Sequence, residues 1–346
     1  MAARIRPLDG DAAAQARRRQ DTLTKPAGSL GRLEEISIRL AGIFGTPTPE
    51  IHRKVIIVAA GDHGVSAEGV SAYPQEVTAQ MVLNFLGGGA GINVLARHVG
   101  AEVVIVDAGV AAELPAHPDL RSVKLGMGTA NIAQGPAMSR AQAIRSIEEG
   151  AQLALERVES GADMLGTGDM GIGNTTPSSA ITAVIAGVDP AASTGTGTGI
   201  SRRGLPHKVA VVRQALEVNR PDPRSGIDVL SKVGGFEIGF LAGVVLGGAA
   251  ARRPVVLDGF VSGAAALIAC ALCPEASVYL IASHRSVEPG HRAALRHLKQ
   301  RPLLDLKMRL GEGTGAALAM HIVEAAAKCL AGMSSFADAG VSESRV

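Results

Sequence analysis

Five stretches of this chain run from a nearly unbroken β-branched segment straight into a glycine-rich or polar loop: KVIIVAAGDHG (54–64), AEVVIVDAG (101–109), GADMLGTGDMG (161–171), RPVVLDG (253–259) and SVYLIAS (277–283). A strand with one wet face alternates apolar and polar residues. These do not alternate, so both of their faces are covered, which is the habit of parallel sheets. Helical stretches separate them. In MSRAQAIRSIEEGAQLALERVESG (138–161), for example, Ile144, Ile147, Leu153, Leu155 and Val158 recur near helical spacing. Alternating β and α segments predict an α/β fold: a doubly wound, mainly parallel sheet flanked by helices. The two ends carry helical patterns and little strand signal. Residues 1–45 and 305–346 are therefore expected to form a small helical subdomain beside an α/β domain over 46–304.

Composition narrows the partner. The chain has 346 residues, 47% hydrophobic and only 2% aromatic, with a net charge of +2. A nucleic-acid surface wants a basic face and stacking rings, and near-neutral charge with so few aromatic residues argues against one. The most lipid-like run, IGFLAGVVLGGAAA (238–251), has 14 residues, too few to span a bilayer, and reads as a buried helix. Cys270 and Cys273 form a C-x-x-C pair with no second pair to complete a zinc site, so they are expected to be plain buried thiols in a reducing cytoplasm. The N-terminus MAARIRPLDG has no apolar signal core.

In open parallel sheets, ligands sit beyond the carboxyl ends of the strands. The loops expected to carry chemistry are AGDHGV, TGDMGIGNTT, LDGF, ASHRSVEPGH and RLGEGTG. In GTGDMGIGNTTPSSAI (166–181), Gly171 and Gly173 permit close backbone approach. Asn174, Thr175 and Thr176 place donors at a helix start, which suits a ribose phosphate as well as it suits an ordinary N-cap. The stretch TGTGTGISRRGLPHKVAV (194–211) reads as a loop that closes over an anion, ending in Arg202, Arg203 and Lys208. Asp62, His63 and Glu68 lack the spacing of a metal site, and Ser286 fits a phosphate ligand better than a nucleophile, since the G-x-S-x-G elbow is missing. No Walker loop occurs, and no G-x-G-x-x-G follows the first strand. In RLGEGTGAAL (309–318), three glycines surround Glu312 just ahead of a helix. A carboxylate is an odd residue where backbone amides usually cradle an anion.

Taken together, TKPAGSLGRLE (24–34), AGDHGVSAEGVSAYPQEVTAQMV (60–82), GDMGIGNTTPSSAI, GGFEIGFLAG (234–243), VLDGF (256–260), SHRSVEPGH (283–291) and LGEGTGAAL closely resemble the nicotinate-nucleotide–dimethylbenzimidazole phosphoribosyltransferase family of cobalamin biosynthesis. The resemblance runs from about residue 20 to 330 in unbroken order. It implies a nucleotide-binding-like sheet with a small helical domain, a cytoplasmic homodimer, and transfer of phosphoribose from nicotinate mononucleotide to 5,6-dimethylbenzimidazole, giving α-ribazole 5′-phosphate and nicotinate. Neither metal nor cofactor is implied. By position, Glu312 matches the family's general base, with Lys208 near the ribosyl centre in support. Gly171 to Thr176 and Ser286 match the phosphate region, Leu310, Gly311 and Gly313 the backbone around the base, and Ser71, Tyr73 and Gln80 the base pocket. Asp169 stands where many members have glutamate, and the shorter side chain has less reach.

That chemistry suits these residues. The pyridinium leaving group departs with its positive charge neutralised, so no metal is needed to hold it, and the acidic D-D/E-x-x-T-T-G-x-T loop of the pyrophosphate-releasing transferases is absent. Attack by one benzimidazole nitrogen on C1′ inverts β to α and makes the far N–H acidic, and a carboxylate held there removes the proton. Glu312 is expected to do this while its flanking glycine amides assist the phosphate and Asp169 adds negative field near C1′. Two alternatives stay open: the same transfer to another base or a phenol, and a nucleotide sensor without turnover.

Overall fold

The computed structural model describes residues 2–342. In chain order the elements are α1 (Gly10–Thr22), α2 (Arg32–Phe44), β1 (Lys54–Gly61), α3 (Val77–Leu86), α4 (Gly91–Val99), β2 (Ala101–Gly109), β3 (Leu120–Ser122), α5 (Arg140–Glu159), β4 (Met164–Met170), α6 (Thr175–Ala186), α7 (Pro190–Ser193), α8 (Leu205–Asn219), α9 (Gly226–Val233), α10 (Phe236–Ala250), β5 (Val255–Leu257), α11 (Phe260–Leu272), β6 (Leu280–Ala282), α12 (Pro289–His297), α13 (Thr314–Gly332) and α14 (Phe336–Ala339). All five expected strands form. A sixth, β3, is a three-residue edge strand too short to show a pattern in the sequence.

The sheet is parallel throughout, in the order β3-β2-β1-β4-β5-β6. This is the doubly wound arrangement, with the chain reversing its direction of travel between β1 and β4. Side chains alternate across it. Val55, Ile57 and Ala59 of β1 enter the core under α5, α6 and α8 to α11, whereas Ile56, Val58 and Ala60 enter the core under α2, α3, α4 and α13. The expected apolar helix is α10, whose residues from Phe236 to Ala249 are all buried.

Two glycines decide how closely α5 and α10 pack. A β-carbon on Gly150 would lie 1.9 Å from the Phe240 carbonyl oxygen, and one on Gly243 would lie 2.0 Å from the Ile147 carbonyl oxygen. At both places backbone touches backbone, so the low aromatic content goes with unusually close helix contacts. α5 opens with a capping box, in which the Ser139 hydroxyl accepts from Gln142 N–H and the Gln142 side chain returns to Ser139 N–H.

The helices of the two ends meet through Ala16 of α1, Ala41 of α2 and Leu330 of α13. Arg19 caps α13 by donating to the carbonyls of Leu330, Ala331 and Met333. The first half of α13 contributes Ala316, Ala317, Ala319 and Met320 to the core of the sheet's second face. Division of the chain at 45 and 305 is a proposal about how these contacts group; residue 1 and residues 343–346 of that grouping lie outside the described residues.

Candidate active site

The carboxyl ends of β4, β5 and β6 open into a cleft. Its walls come from four of the five expected loops: Asp169, Asn174 and Thr175 after β4, Phe260 after β5, His284, Ser286 and Glu288 after β6, and Arg309 to Gly311 before α13, with Gly197 and Thr198 across the mouth. The fifth loop stays out. His63 Nε2 instead lies 2.8 Å from Glu237 Oε1, both side chains fully buried beneath the end of β1. Burial alone would lower that imidazole, but the Glu237 carboxylate outweighs it and holds His63 above its ordinary range. Among the described residues no cluster of three or more His, Cys, Asp or Glu is arranged to hold a metal ion.

Asp169 ends β4 with its side chain buried, and Asn174 Nδ2 donates to its Oδ2 at 2.9 Å. Burial, reinforced by the Asp258, Glu237 and Glu312 carboxylates and opposed by the Asn174 bond, pushes its carboxyl up to about 8. Asp169 is therefore mainly protonated at neutral pH in the free protein. The negative field expected near C1′ exists only once a cation or a higher pH removes that proton, a condition the sequence did not disclose.

The start of α6 gathers positive potential. Lys208 of α8, buried behind the wall, donates from Nζ to Thr175 Oγ1 at 2.8 Å, which leaves the Thr175 hydroxyl proton for an anion in the cleft. Desolvation, partly offset by Glu288, brings the Lys208 ammonium down to about 8. Arg309 reaches Gly197 O at 3.2 Å and Glu288 accepts Gly197 N–H at 3.0 Å, so both polar groups of one residue fasten the 194–200 loop beside the cleft. Ser71 meets that loop at Thr198, 3.1 Å between hydroxyl oxygens. Ser286 presents its hydroxyl to the cleft, while its N–H is taken by His291 Nδ1 at 3.0 Å. Burial, with help from His284, lowers His291 to about 3 and keeps it neutral.

Glu312 lies beside the cleft wall rather than on it. Its Oε2 accepts the N–H of Ile92, in the first turn of α4, at 3.1 Å. Its carboxyl is held above the usual range by burial, against the opposing Ile92 bond. The expected help from its flanking amides is not available at Gly313. That N–H goes to Asp258 Oδ2 at 3.1 Å, and the N–H groups of Gly315 and Ala316 go to Asp258 Oδ1 at 2.7 and 3.1 Å. The Asp258 side chain already fills the N-terminus of α13, and burial pushes its carboxyl up to about 7 against those three hydrogen bonds. Leu310 and Gly311 do line the cleft. Gly171, Gly173 and Thr176 are buried in the turn behind Asn174 and Thr175 and shape it rather than face it. Tyr73, 55% exposed, and Gln80 sit on the surface of the Ser71 segment, outside the cleft of this single chain. Sequence reading missed Asp258, Thr198, Glu288 and Arg309; each stood within or beside a motif already singled out, but none had a local pattern to mark it.

A family model described as phosphoribosyltransferase matches residues 5–341. A nicotinate-nucleotide–dimethylbenzimidazole phosphoribosyltransferase of Chloroflexus aggregans is 61% identical over 99% of this chain and 97% of its own length. One of the same name from Roseiflexus sp. is 60% identical over 98% and 96%. The crystal structure of CobT from Thermus thermophilus aligns with a TM-score of 0.93 at 50% identity, covering 96% of this chain and 100% of that one. The chain belongs to the nicotinate-nucleotide–dimethylbenzimidazole phosphoribosyltransferase family.

Proposed function

We infer that this protein transfers the 5-phosphoribosyl group of nicotinate mononucleotide to 5,6-dimethylbenzimidazole, giving α-ribazole 5′-phosphate and nicotinate with inversion at C1′. The observation that carries the reading is a cleft in which a helix start backed by a buried lysine stands beside the carboxyl groups of Asp169 and, behind the wall, Glu312. One end suits a phosphate and the other suits a cation.

In this reading the phosphate lies against the start of α6, with Asn174, Thr175 and Ser286 as hydrogen-bond partners and Lys208 and Arg309 as counter-charges. A benzimidazole nitrogen attacks C1′ from the side opposite nicotinate. The N–C1′ bond forms as the C1′–pyridinium bond breaks, and the departing electron pair neutralises the pyridinium. The approach of that cation lowers the affinity of Asp169 for its proton, which leaves to solvent water, and the resulting carboxylate stabilises the positive charge spread over C1′. Glu312, with Oε2 fixed by Ile92, takes the benzimidazolium proton on Oε1. Ser71, Tyr73 and Gln80 are proposed to contact the base. Exposed Leu83 on α3 and Val94 on α4, 46% and 54% accessible, support burial of this face in a homodimer, for which sedimentation equilibrium is the test. The free thiols Cys270 and Cys273 support a reducing cytoplasm.

The deciding experiment incubates the protein with nicotinate mononucleotide and a mixture of benzimidazoles, purines and phenols, and identifies products by mass. α-Ribazole 5′-phosphate with equimolar nicotinate is expected. Binding of the mononucleotide without any riboside product would overturn the assignment.

A further inference from the structure

Residues 311–313 are three consecutive left-handed positions, with φ of +82°, +64° and +93°. Glycine adopts this region freely; the middle residue is Glu312, whose β-carbon makes the conformation unfavourable. Something outside the turn must hold it there. The Glu312 N–H is bonded to Asp169 O at 3.1 Å, and a β-carbon on Gly168 would lie 2.4 Å from Glu312 O, so the turn is pressed onto the end of β4. Its far side is tied by one side chain. Asp258, 1% exposed at the end of β5, receives the N–H groups of Gly313, Gly315 and Ala316 on its two oxygens. Its own backbone is pinned in turn, for Asp258 N–H lies 3.4 Å from Thr167 Oγ1 and Asp258 O accepts the Ser283 hydroxyl at 2.9 Å.

We propose that Asp258 is the positioning residue for Glu312: by filling the N-terminus of α13 with a built-in acceptor, it fixes the left-handed turn that presents the Glu312 carboxylate. Two consequences follow. The phosphate of a substrate is excluded from this helix terminus and left to α6. Without the Asp258 carboxylate, the buried N–H groups of α13 lose their acceptor, the strained residue relaxes, and the carboxylate leaves its place beside Ile92. The inference rests on Glu312 acting in the transfer proposed above, but the geometry of the turn can be read without turnover.

The test compares the full-length protein with D258N, D258S, E312Q and the double variants, measuring kcat, KM for nicotinate mononucleotide, folding by circular dichroism, and the crystal structure of D258N. The amide of D258N turns a donor toward backbone donors, and D258S is a smaller acceptor should D258N not fold. Expected are a kcat loss of roughly 10–10²-fold, the usual cost of misplacing a reacting group by about 1 Å, and an almost unchanged KM. In the E312Q background neither substitution costs anything more, because a residue that acts only through Glu312 has nothing left to position. Residues 311–313 are expected to leave the left-handed region in the D258N crystal. An unaltered turn overturns the proposal, as does a raised KM at constant kcat, a full additional loss on top of E312Q, or failure of both variants to fold, which would make Asp258 a core requirement. A wild-type protein without turnover sinks the activity reading alone and leaves the crystallographic result standing.

Discussion

Asn174 donates its side-chain amide to Asp169 Oδ2 at 2.9 Å, which ties the residue opening α6 to the end of β4. The group proposed to face the reacting sugar and the proposed seat of the phosphate are thereby held in one unit.

The first prediction concerns that carboxyl. In Asp169→Asn the side-chain oxygen still accepts from Asn174, so geometry is kept while the charge is lost. Transfer should slow by about 10²-fold with little change in substrate affinity, since a field acting on developing charge is felt mainly in the transition state. An unchanged kcat would make Asp169 a bystander. Stability should move the other way. The folded carboxyl titrates near 8 and the unfolded one near its ordinary value, so the native state binds the proton more tightly. Wild-type stability therefore falls as pH rises from about 4 to about 8. The Asn variant should match wild type in thermal unfolding only at or below about pH 4 and melt progressively higher than it up to about pH 8.

Glu312→Gln keeps the shape of the turn and the bond from Ile92. We expect it to fold, to bind both substrates, and to lose roughly 10²–10⁴ in kcat, the range for a positioned base. A benzimidazole alkylated on the nitrogen facing Glu312 has no proton to give and should not be a substrate. Turnover of that compound at the normal rate by the wild type would remove the base from the mechanism.

Lys208 is a cation below about pH 8 and neutral above it, because burial disfavours its charge. KM for nicotinate mononucleotide should rise as pH passes from 7 to 9.5, with the phosphate fully ionised across most of that range. Lys208→Met should raise KM at pH 7 by roughly tenfold, the worth of one charge-assisted hydrogen bond, and flatten the pH dependence. Identical pH profiles for the two proteins would exclude Lys208 from phosphate binding.

A pyridinium leaving group needs no Lewis acid. Turnover should survive exhaustive treatment with EDTA, measured by nicotinate release. Activity abolished by the chelator and restored by Mg²⁺ would make Asp62, His63 and Asp169 candidate ligands.

Away from the cleft, Gly150→Ala would drive a β-carbon to 1.9 Å from Phe240 O, and α5 must separate from α10. A loss of about 1–3 kcal/mol or more follows from overpacking of this kind. The melting temperature should fall by several degrees while kcat of the folded fraction is unchanged. A melting temperature equal to wild type would mean that the two helices separate at no cost.

The parallel α/β sheet was legible in the amino-acid order alone, because five apolar runs that do not alternate read as strands covered on both faces. The loops that matter were legible too, since glycine and polar side chains collect where those strands end, and Glu312 stood out as a carboxylate where an anion cradle was due. Which of those loops meet was settled only by the folded chain. Asp258 lies 55 residues before Gly313, and Glu288 lies 91 residues after Gly197. No periodicity links such pairs, because strand and helix patterns report only on neighbours within a few residues. The order β3-β2-β1-β4-β5-β6 brings the ends of β4 and β5 together and leaves the end of β1 to a buried His63–Glu237 pair. The protonated state of Asp169 was likewise invisible, for it arises from burial shared with three other carboxyl groups that the sheet, not the chain, makes neighbours.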